Sequence, residues 1–310
     1  DAQSTVDFPR PSLAGQVDRW LLASAPPERL AFLRIAVSGY VLFYFITTGQ
    51  EFARVAALSS DSFEPVGIAT LLDAPLPAAV VWLVFAAGLL SGFASLAGVR
   101  FGVSGPILAG VCLVWASYHS SWGQMLHFEH LFTLHLLILA TTRAADAWSF
   151  DARRLSRAPV PSVRYGWPIR LLAITTVCTY AIAGIAKLRY GGIDWMDGST
   201  LANHIGYSAT RMDLLGGFRP PIAPFVLRVP FLIAPMAIAS VAIELFAPLA
   251  LLGGRWRRVW VAAAVLFHLG TLTTMMVYFA YQGLGFALLP LYRTERIGQW
   301  IIGLSQRRSE

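Results

Sequence analysis

Long apolar segments recur along this chain, and each is close to the length of helix that crosses a lipid bilayer. A hydrocarbon core of about 30 Å takes about 20 helical residues to span. Eight segments fit that ruler: Leu30 to Thr48, Pro77 to Ala97, Val103 to His119, Gln124 to Thr142, Pro168 to Leu188, Val229 to Leu252, Val259 to Phe279, and Gln282 to about Leu304. The last carries Arg293, Glu295 and Arg296, so a short span followed by an amphipathic surface helix also fits it, and the total is about seven to nine.

Composition points the same way. The 310 residues are 56% hydrophobic and 13% charged, with a mean hydropathy of +0.60, far more apolar than a soluble domain. The expected fold class is all-α: a polytopic integral membrane helix bundle of about eight transmembrane helices. Ten tryptophans and nineteen phenylalanines suit lipid-facing surfaces and interfacial belts. The formal charge of +7 reads as topology rather than nucleic-acid affinity, because the basic residues punctuate apolar runs instead of clustering on one soluble face. Cys112 and Cys178 both fall in apolar segments, where a small hydrophobic packing role is the plainer reading; they form no disulfide framework.

Arginines collect in "TTRAADAWSFDARRLSRAPVPSVRYGWPIR", in "GGRWRRV", at Arg100 and in the tail "QRR", and these are alternate connections. The positive-inside rule therefore places both termini and these loops in the cytoplasm and turns residues 49–76, 120–123, 189–228 and about 280 outward. The expected layout is an N-terminal cytoplasmic or interfacial segment at 1–28, one membrane domain at 29–304 and a cytoplasmic tail at 305–310. No signal peptide is read at the amino terminus, so insertion is expected to follow the first span. The longest outward loop, 189–228, mixes Asp194, Asp197 and Asp213 with Arg211 and Arg219 among glycines and prolines, and loops of that length are usually functional.

Ionisable groups inside spans are costly and mark a site or an internal pair. Counting along the helices puts Lys187 at the outer end of the fifth span, with His127 and His130 at its level on the fourth and His135 deeper. Glu244 and His268 come out level near the midplane, which suggests that they pair. Arg34 in the first span reads as an arginine snorkelling to the cytoplasmic face. Lys187 is the only lysine among the 24 basic residues. An apolar, poorly hydrated site disfavours a charged amine and fits it to act as a general base, which a guanidinium cannot do. A lysine snorkelling to the interface is the competing reading. A histidine-ligated metal or haem site, with Glu129 as an oxygen ligand beside His127, His130 and His135, and a lipid-binding or transport cavity also stand as alternatives, although one H-x-x-H is a weak metal signal.

The stretch "YAIAGIAKLRYGGIDWMDGSTL", Tyr180 to Leu201, resembles the vitamin K-dependent gamma-carboxylase family in its membrane part, the horizontally transferred transmembrane (HTTM) domain. Leu33-Arg34-Ile35, a histidine upstream of "AWSFD", "PLALLGGRWR" and "FHLGT" are similar to the family as well, so that the likeness runs from about Arg29 to Tyr292. The resemblance implies a multi-pass protein of the cell membrane whose active site lies on the extracytoplasmic side. There the lysine matching Lys187 deprotonates a vitamin K hydroquinone or menaquinol, which reacts with O2. The oxygenated anion removes a γ-proton from a glutamyl substrate, the carbanion takes CO2, and the quinone leaves as its epoxide. His130, or His127, would be the assisting histidine. Tyr180, Trp195, His268 and Glu244 would line the quinone, and Asp194, Arg211 and Arg219 would meet the substrate, the arginines receiving a carboxylate.

This chain has Ala186 where the familiar carboxylases carry a second lysine, and it runs only a short way past its last span, where they continue into a large soluble domain. That departure argues against a propeptide-bearing protein as substrate and leaves three expectations beside the lipid bilayer and the quinone: another peptide or protein substrate, a partner subunit, or the quinol half of the chemistry alone. A non-enzymatic quinone- or lipid-binding membrane protein, acting in immunity, transport or assembly, is the alternative from another class.

Overall fold

The computed structural model describes residues 12–125 and 127–300. Twelve α-helices have both ends among them: α1 (Leu13–Leu21), α2 (Pro27–Thr47), α3 (Gly49–Ala56), α4 (Ala78–Ala97), α5 (Phe101–His119), α6 (His130–Ala140), α7 (Val163–Met196), α8 (Ser199–Leu214), α9 (Ala223–Arg228), α10 (Ile233–Leu245), α11 (Gly254–Met275) and α12 (Ala280–Gly283); a thirteenth starts at residue 295. The described residues contain no strand, only one antiparallel bridge between Ala25 and Ser162. Five helices, α2, α4, α5, α7 and α11, are long and apolar enough to cross a membrane, and His127–Ala140 and Pro230–Leu245 are shorter apolar helices. The protein is a polytopic helical membrane protein.

The expected spans are broken where the sequence carries turn chemistry. The sixth, Val229 to Leu252, is α10 followed by a tighter 3-10 stretch at Ala247–Leu252 that contains Pro248, whose missing N–H ends the α-helical ladder. The fourth begins its α-helix only at His130, after a 3-10 turn at His127–Glu129. The eighth is not one helix among the described residues. α12 stops at Gly285, which sits at φ +84, a 3-10 stretch with Pro290 inside it follows at Phe286–Leu291, and a new helix starts at residue 295. Its end near Leu304, like the "QRR" tail and residues 1–11, lies outside the described residues. The segment 189–228, read from sequence as an outward loop, is largely helical, because α7 runs on to Met196 and α8 follows two residues later.

α7 is the spine. On one side it packs on α2 and α6, beside the large aromatic and aliphatic core of α2, α5 and α6; on the other it packs on α10 and the 3-10 stretch that follows. Successive spans alternate in direction. The C-terminal ends of α2, α5 and α7 and the N-terminal ends of α6 and α10 therefore share one end of the bundle, called here the Lys187 end. α4 shows why the helices can approach closely. Its buried positions are Val81, Gly88, Ser91, Gly92 and Ser95, while Leu83, Leu90 and Phe93 stay exposed. Small residues one turn apart let a neighbouring helix come near, and the apolar remainder faces lipid. A Cβ placed on Gly88 would overlap the ring of Phe45, with Cζ at 2.6 Å.

At the opposite end the buried arginine is a clamp, not a snorkelling side chain. Arg34 has no exposed surface. Its Nη1 donates to Ser95 O and Leu96 O at 2.6 Å each, Nη2 to Trp148 O at 2.6 Å, and Nε to Ala144 O at 3.2 Å. The first two lie in the last turn of α4, where Ser95 O also accepts the Gly98 N–H at 3.1 Å and Leu96 O has the arginine alone, and α4 ends at Gly98 in the left-handed region (φ +64). Trp148 is also left-handed, at φ +46, a conformation unfavourable for a side chain of that size and pinned by the arginine. Three residues on, Asp151 accepts the N–H groups of Arg100 (2.9 Å) and Phe101 (2.7 Å), placing a carboxylate at the positive N-terminus of α5. The connection after α6 thus staples the α4–α5 hairpin to α2.

Two outcomes follow. Arg34→Met leaves the carbonyls of Leu96, Ala144 and Trp148 unpaired in a dry site and lowers stability by at least about 3 kcal/mol; Arg34→Lys, with one nitrogen in place of a fork, recovers only part of it. Gly88→Val forces α2 and α4 apart at about 1–3 kcal/mol. Thermal unfolding in detergent, followed by intrinsic fluorescence, ranks Arg34→Met below Arg34→Lys and both below the parent chain.

Candidate functional site

Lys187 sits near the C-terminal end of the apolar run of α7, and helix geometry decides where its amine goes. Side chains on a helix lean toward its N-terminus, which for α7 means back into the bundle. Nζ reaches Glu244 Oε1 on α10 at 2.7 Å, with side-chain exposures of 19% and 6%. The two helices are close because Gly184, one turn before the lysine, has no side chain. A Cβ there would lie 3.0 Å from Glu244 Cβ and 3.0 Å from Leu245 N.

Two aromatic faces complete the amine's surroundings. Nζ lies 4.9 Å from the ring centre of Trp195 and 5.3 Å from that of Phe267. The negative face of an aromatic ring attracts a cation, so the two rings and the carboxylate are placed to meet the amine's positive charge whenever it carries one. Trp195 is eight residues beyond the lysine and would stand away from it on a straight helix. The backbone folds it back at Gly192, at φ +53 and ψ −133, a conformation open to glycine alone. Its indole Nε1 then donates to Ser240 Oγ at 3.5 Å. Just past the kink, the exposed carboxyl of Asp197 is held below its ordinary value by hydrogen bonds from the Ser199 backbone and side chain.

Tyr180, Gly184 and Lys187 are spaced i, i+4 and i+7, hence on one face of α7. Two turns below the lysine, the Tyr180 hydroxyl is 2.6 Å from His268 Nε2 on α11. The pair expected from depth, Glu244 with His268, is therefore replaced by two: Lys187 with Glu244, and Tyr180 with His268. The lysine reaches down from its own level to neutralise the acid, and the tyrosine takes the imidazole. Two buried atoms on this face make no hydrogen bond, Glu244 Oε2 and His268 Nδ1.

The other predicted residues lie elsewhere. His127 and His130 are exposed, their ring centres 6.2 Å apart, and no hydrogen bond or ring contact joins either to Lys187 among the described residues. His135 is fully buried between Tyr281 (2.7 Å) and Thr176 (3.2 Å). Asp194 and Arg211 are exposed, and Arg219 is exposed and paired with Asp213. Cys112 is buried as expected, whereas Cys178 is exposed. Among the described residues no three His, Cys, Asp or Glu side chains converge to hold a metal ion. An open cleft of about 430 Å³, lined by Ala97, Trp148, Phe150 and Arg153, belongs to the Arg34 end. Sequence reading missed Phe267 and Ser240, which no local pattern distinguishes from other span residues. It also missed a buried group of Tyr44, Trp115 and His119 around Glu129, for which an acid in the first turn of an apolar segment was the available signal.

No curated protein and no solved structure matches the chain. The profile of one family, the HTTM domain, matches residues 24–294, which take in the Arg34 clamp, the kink at Gly192 and every residue around Lys187. With nearly all of its length inside that match, the chain belongs to the HTTM domain family, the gamma-carboxylase-like group of helical membrane proteins.

Proposed function

We propose that the protein is a membrane enzyme that uses Lys187 as a general base on a vitamin K-type hydroquinone, menaquinol or a close relative, at the extracytoplasmic end of the bundle. The observation that carries this reading is the Lys187–Glu244 pair, whose second carboxylate oxygen makes no hydrogen bond. An amine can accept a proton only when it is neutral, and a carboxylate at 2.7 Å is placed to take the amine's own proton. Glu244 is then the partner that readies Lys187, and the rings of Trp195 and Phe267 hold the amine in place as its charge returns.

The residues fit an aromatic ligand carrying hydroxyl groups. Glu244 Oε2 is a free acceptor. If the Tyr180 hydroxyl donates to Nε2 of His268, the remaining Nδ1–H is a free donor, and it is buried without a partner. Apolar walls with a few convergent polar groups are the usual make-up of a small-molecule site. When bound, a hydroquinone supplies the reducing equivalents: with O2 it yields the quinone epoxide and water. Coupling to CO2 and a glutamyl acceptor belongs to the same proposal. Arg211 and Arg219, exposed on the segment beyond the kink, are the groups that would receive such an acceptor's carboxylate, with Asp194 beside them. His130 and His127 would act from a separate element, as proton-handling groups at the same end.

The test is turnover of reduced menaquinone by the lipid-reconstituted protein. Lys187→Ala and Lys187→Arg lower O2-dependent quinol oxidation by at least about 10²-fold, the usual worth of a general base. Glu244→Gln keeps the shape, loses the proton acceptor and falls in the same direction. All three retain the parent's monodisperse elution in detergent. Parent-level turnover by Lys187→Ala contradicts the assignment, and saturable quinone binding without O2 consumption by the parent chain favours the non-enzymatic binder.

A further inference from the structure

A second buried acid lies in the other half of the bundle, and the Lys187 chemistry does not use it. Glu129, at the N-terminal end of α6, has no exposed surface. Its Oε1 accepts from the Tyr44 hydroxyl and is 2.8 Å from His119 Nδ1, while Oε2 is buried with no hydrogen bond. His119, 5% exposed, turns its other nitrogen toward Glu51 on α3, where Nε2 lies 3.9 Å from Oε2. Glu51 is 42% exposed and is held by Arg54 at 2.6 Å. Three groups therefore run in line from the surface to the interior: an exposed carboxylate, an imidazole and a carboxylate with no access to solvent.

Hydrogen-bond logic assigns the protons along this line. An indole N–H only donates, and Trp115 Nε1 lies 2.9 Å from the Tyr44 oxygen, so that oxygen accepts and the tyrosine's own O–H is left to donate. It donates to Glu129 Oε1, and in the unloaded state, with Glu129 a carboxylate, that oxygen carries no proton of its own. The nitrogen facing the same oxygen, His119 Nδ1, must then be the N–H. In the neutral ring Nε2 is left as a bare lone pair, buried, without a hydrogen bond, and aimed at Glu51. Stacking between Trp115 and His119, with centroids 4.9 Å apart, fixes the ring in this orientation.

We infer that Glu129 is a reversible proton-binding site, loaded from bulk water at the Lys187 end of the bundle through Glu51 and His119. A proton from water, gathered at Glu51, bonds to His119 Nε2, and the imidazolium releases its Nδ1 proton to Glu129 Oε1. The carboxylate becomes a neutral acid, the imidazole is left with its proton on Nε2, and no electron moves. Unloading is the reverse. The other titratable groups facing Glu129 are Tyr40 and Tyr44 on α2, Cys112 on α5 and His130 on α6, and none of these is an exposed acid that could replace Glu51 as the gathering group. The site stands apart from the Lys187 pair and holds whether or not that pair oxidises a quinol.

Infrared difference spectroscopy of the lipid-reconstituted protein tests it, because a neutral carboxylic acid has a C=O stretch that shifts in D2O and a carboxylate does not. Acidification of the parent chain gives such a band at the high frequency of a carboxyl group out of water, above the bands of the exposed acids, and it is this band that is followed. Glu129→Gln removes it, whereas Glu244→Gln, which alters the other buried acid, retains it. After a jump of pH on the Glu51 side, the band rises at least about tenfold more slowly in His119→Phe, the rate change of about 1.4 kcal/mol in a barrier. The surface change Glu51→Gln, which leaves the packed interior intact, slows it about threefold. The inference is overturned by a parent chain with no such band, by a band that survives in Glu129→Gln, or by a parent-like rise in Glu51→Gln.

Discussion

Polar groups inside this bundle can look only to the protein or a bound molecule for partners, because the lipid outside offers no hydrogen bonds. That constraint is felt most directly at the ion pair between Lys187 and Glu244. Either group alone would be an uncompensated charge among apolar helices, and removing one partner of a buried pair is typically worse than never having had it. The pair exists only because α7 and α10 touch at Gly184 and because helix geometry turns the lysine inward. The same constraint accounts for Arg34, which meets backbone carbonyls in place of a carboxylate, and for Glu129, which gathers two polar side chains, Tyr44 and His119, with Trp115 bonded to the tyrosine in turn. Polar matter is thus concentrated at a few points, and the rest of the interior is ordinary apolar packing.

Much of the architecture was legible as a series of apolar runs against a ruler, since the first, second, third, fifth and seventh segments all became long helices. What was illegible has physical causes. Hydropathy does not register where a helix changes pitch, so the 3-10 stretches at Ala247–Leu252 and Phe286–Leu291 were hidden inside apolar runs that contain prolines. α8 was hidden for the opposite reason: its residues are mixed polar and apolar, and they follow glycines, so they read as a loop.

Within the candidate site, the sole lysine stood out by composition, and the stretch around it carried the family likeness that the match over residues 24–294 bears out. Its partners did not stand out. Depth counting put Glu244 at the level of His268, but a lysine side chain spans more than one helical turn, and level alone does not pair groups. Trp195 was legible as a group closing the mouth of the site beside Asp194, but its place over the amine was not, because that depends on one glycine dihedral. Arg34 was read by the commonest behaviour of an arginine near a membrane face, whereas here the carbonyls at the end of α4 and in the connection at residues 144–148 offered more than water would.

The proposed function places oxygen chemistry on a hydroquinone at the apolar face of α7, α10 and α11. It is tested by supplying isotopically labelled O2 and reduced menaquinone to the reconstituted protein and analysing the quinone pool by mass spectrometry. The expected product is a quinone epoxide that carries one labelled oxygen atom and does not form in the absence of protein. Quinone that is recovered bound but without label contradicts the proposal and identifies the bundle as a binder of the ligand rather than a catalyst.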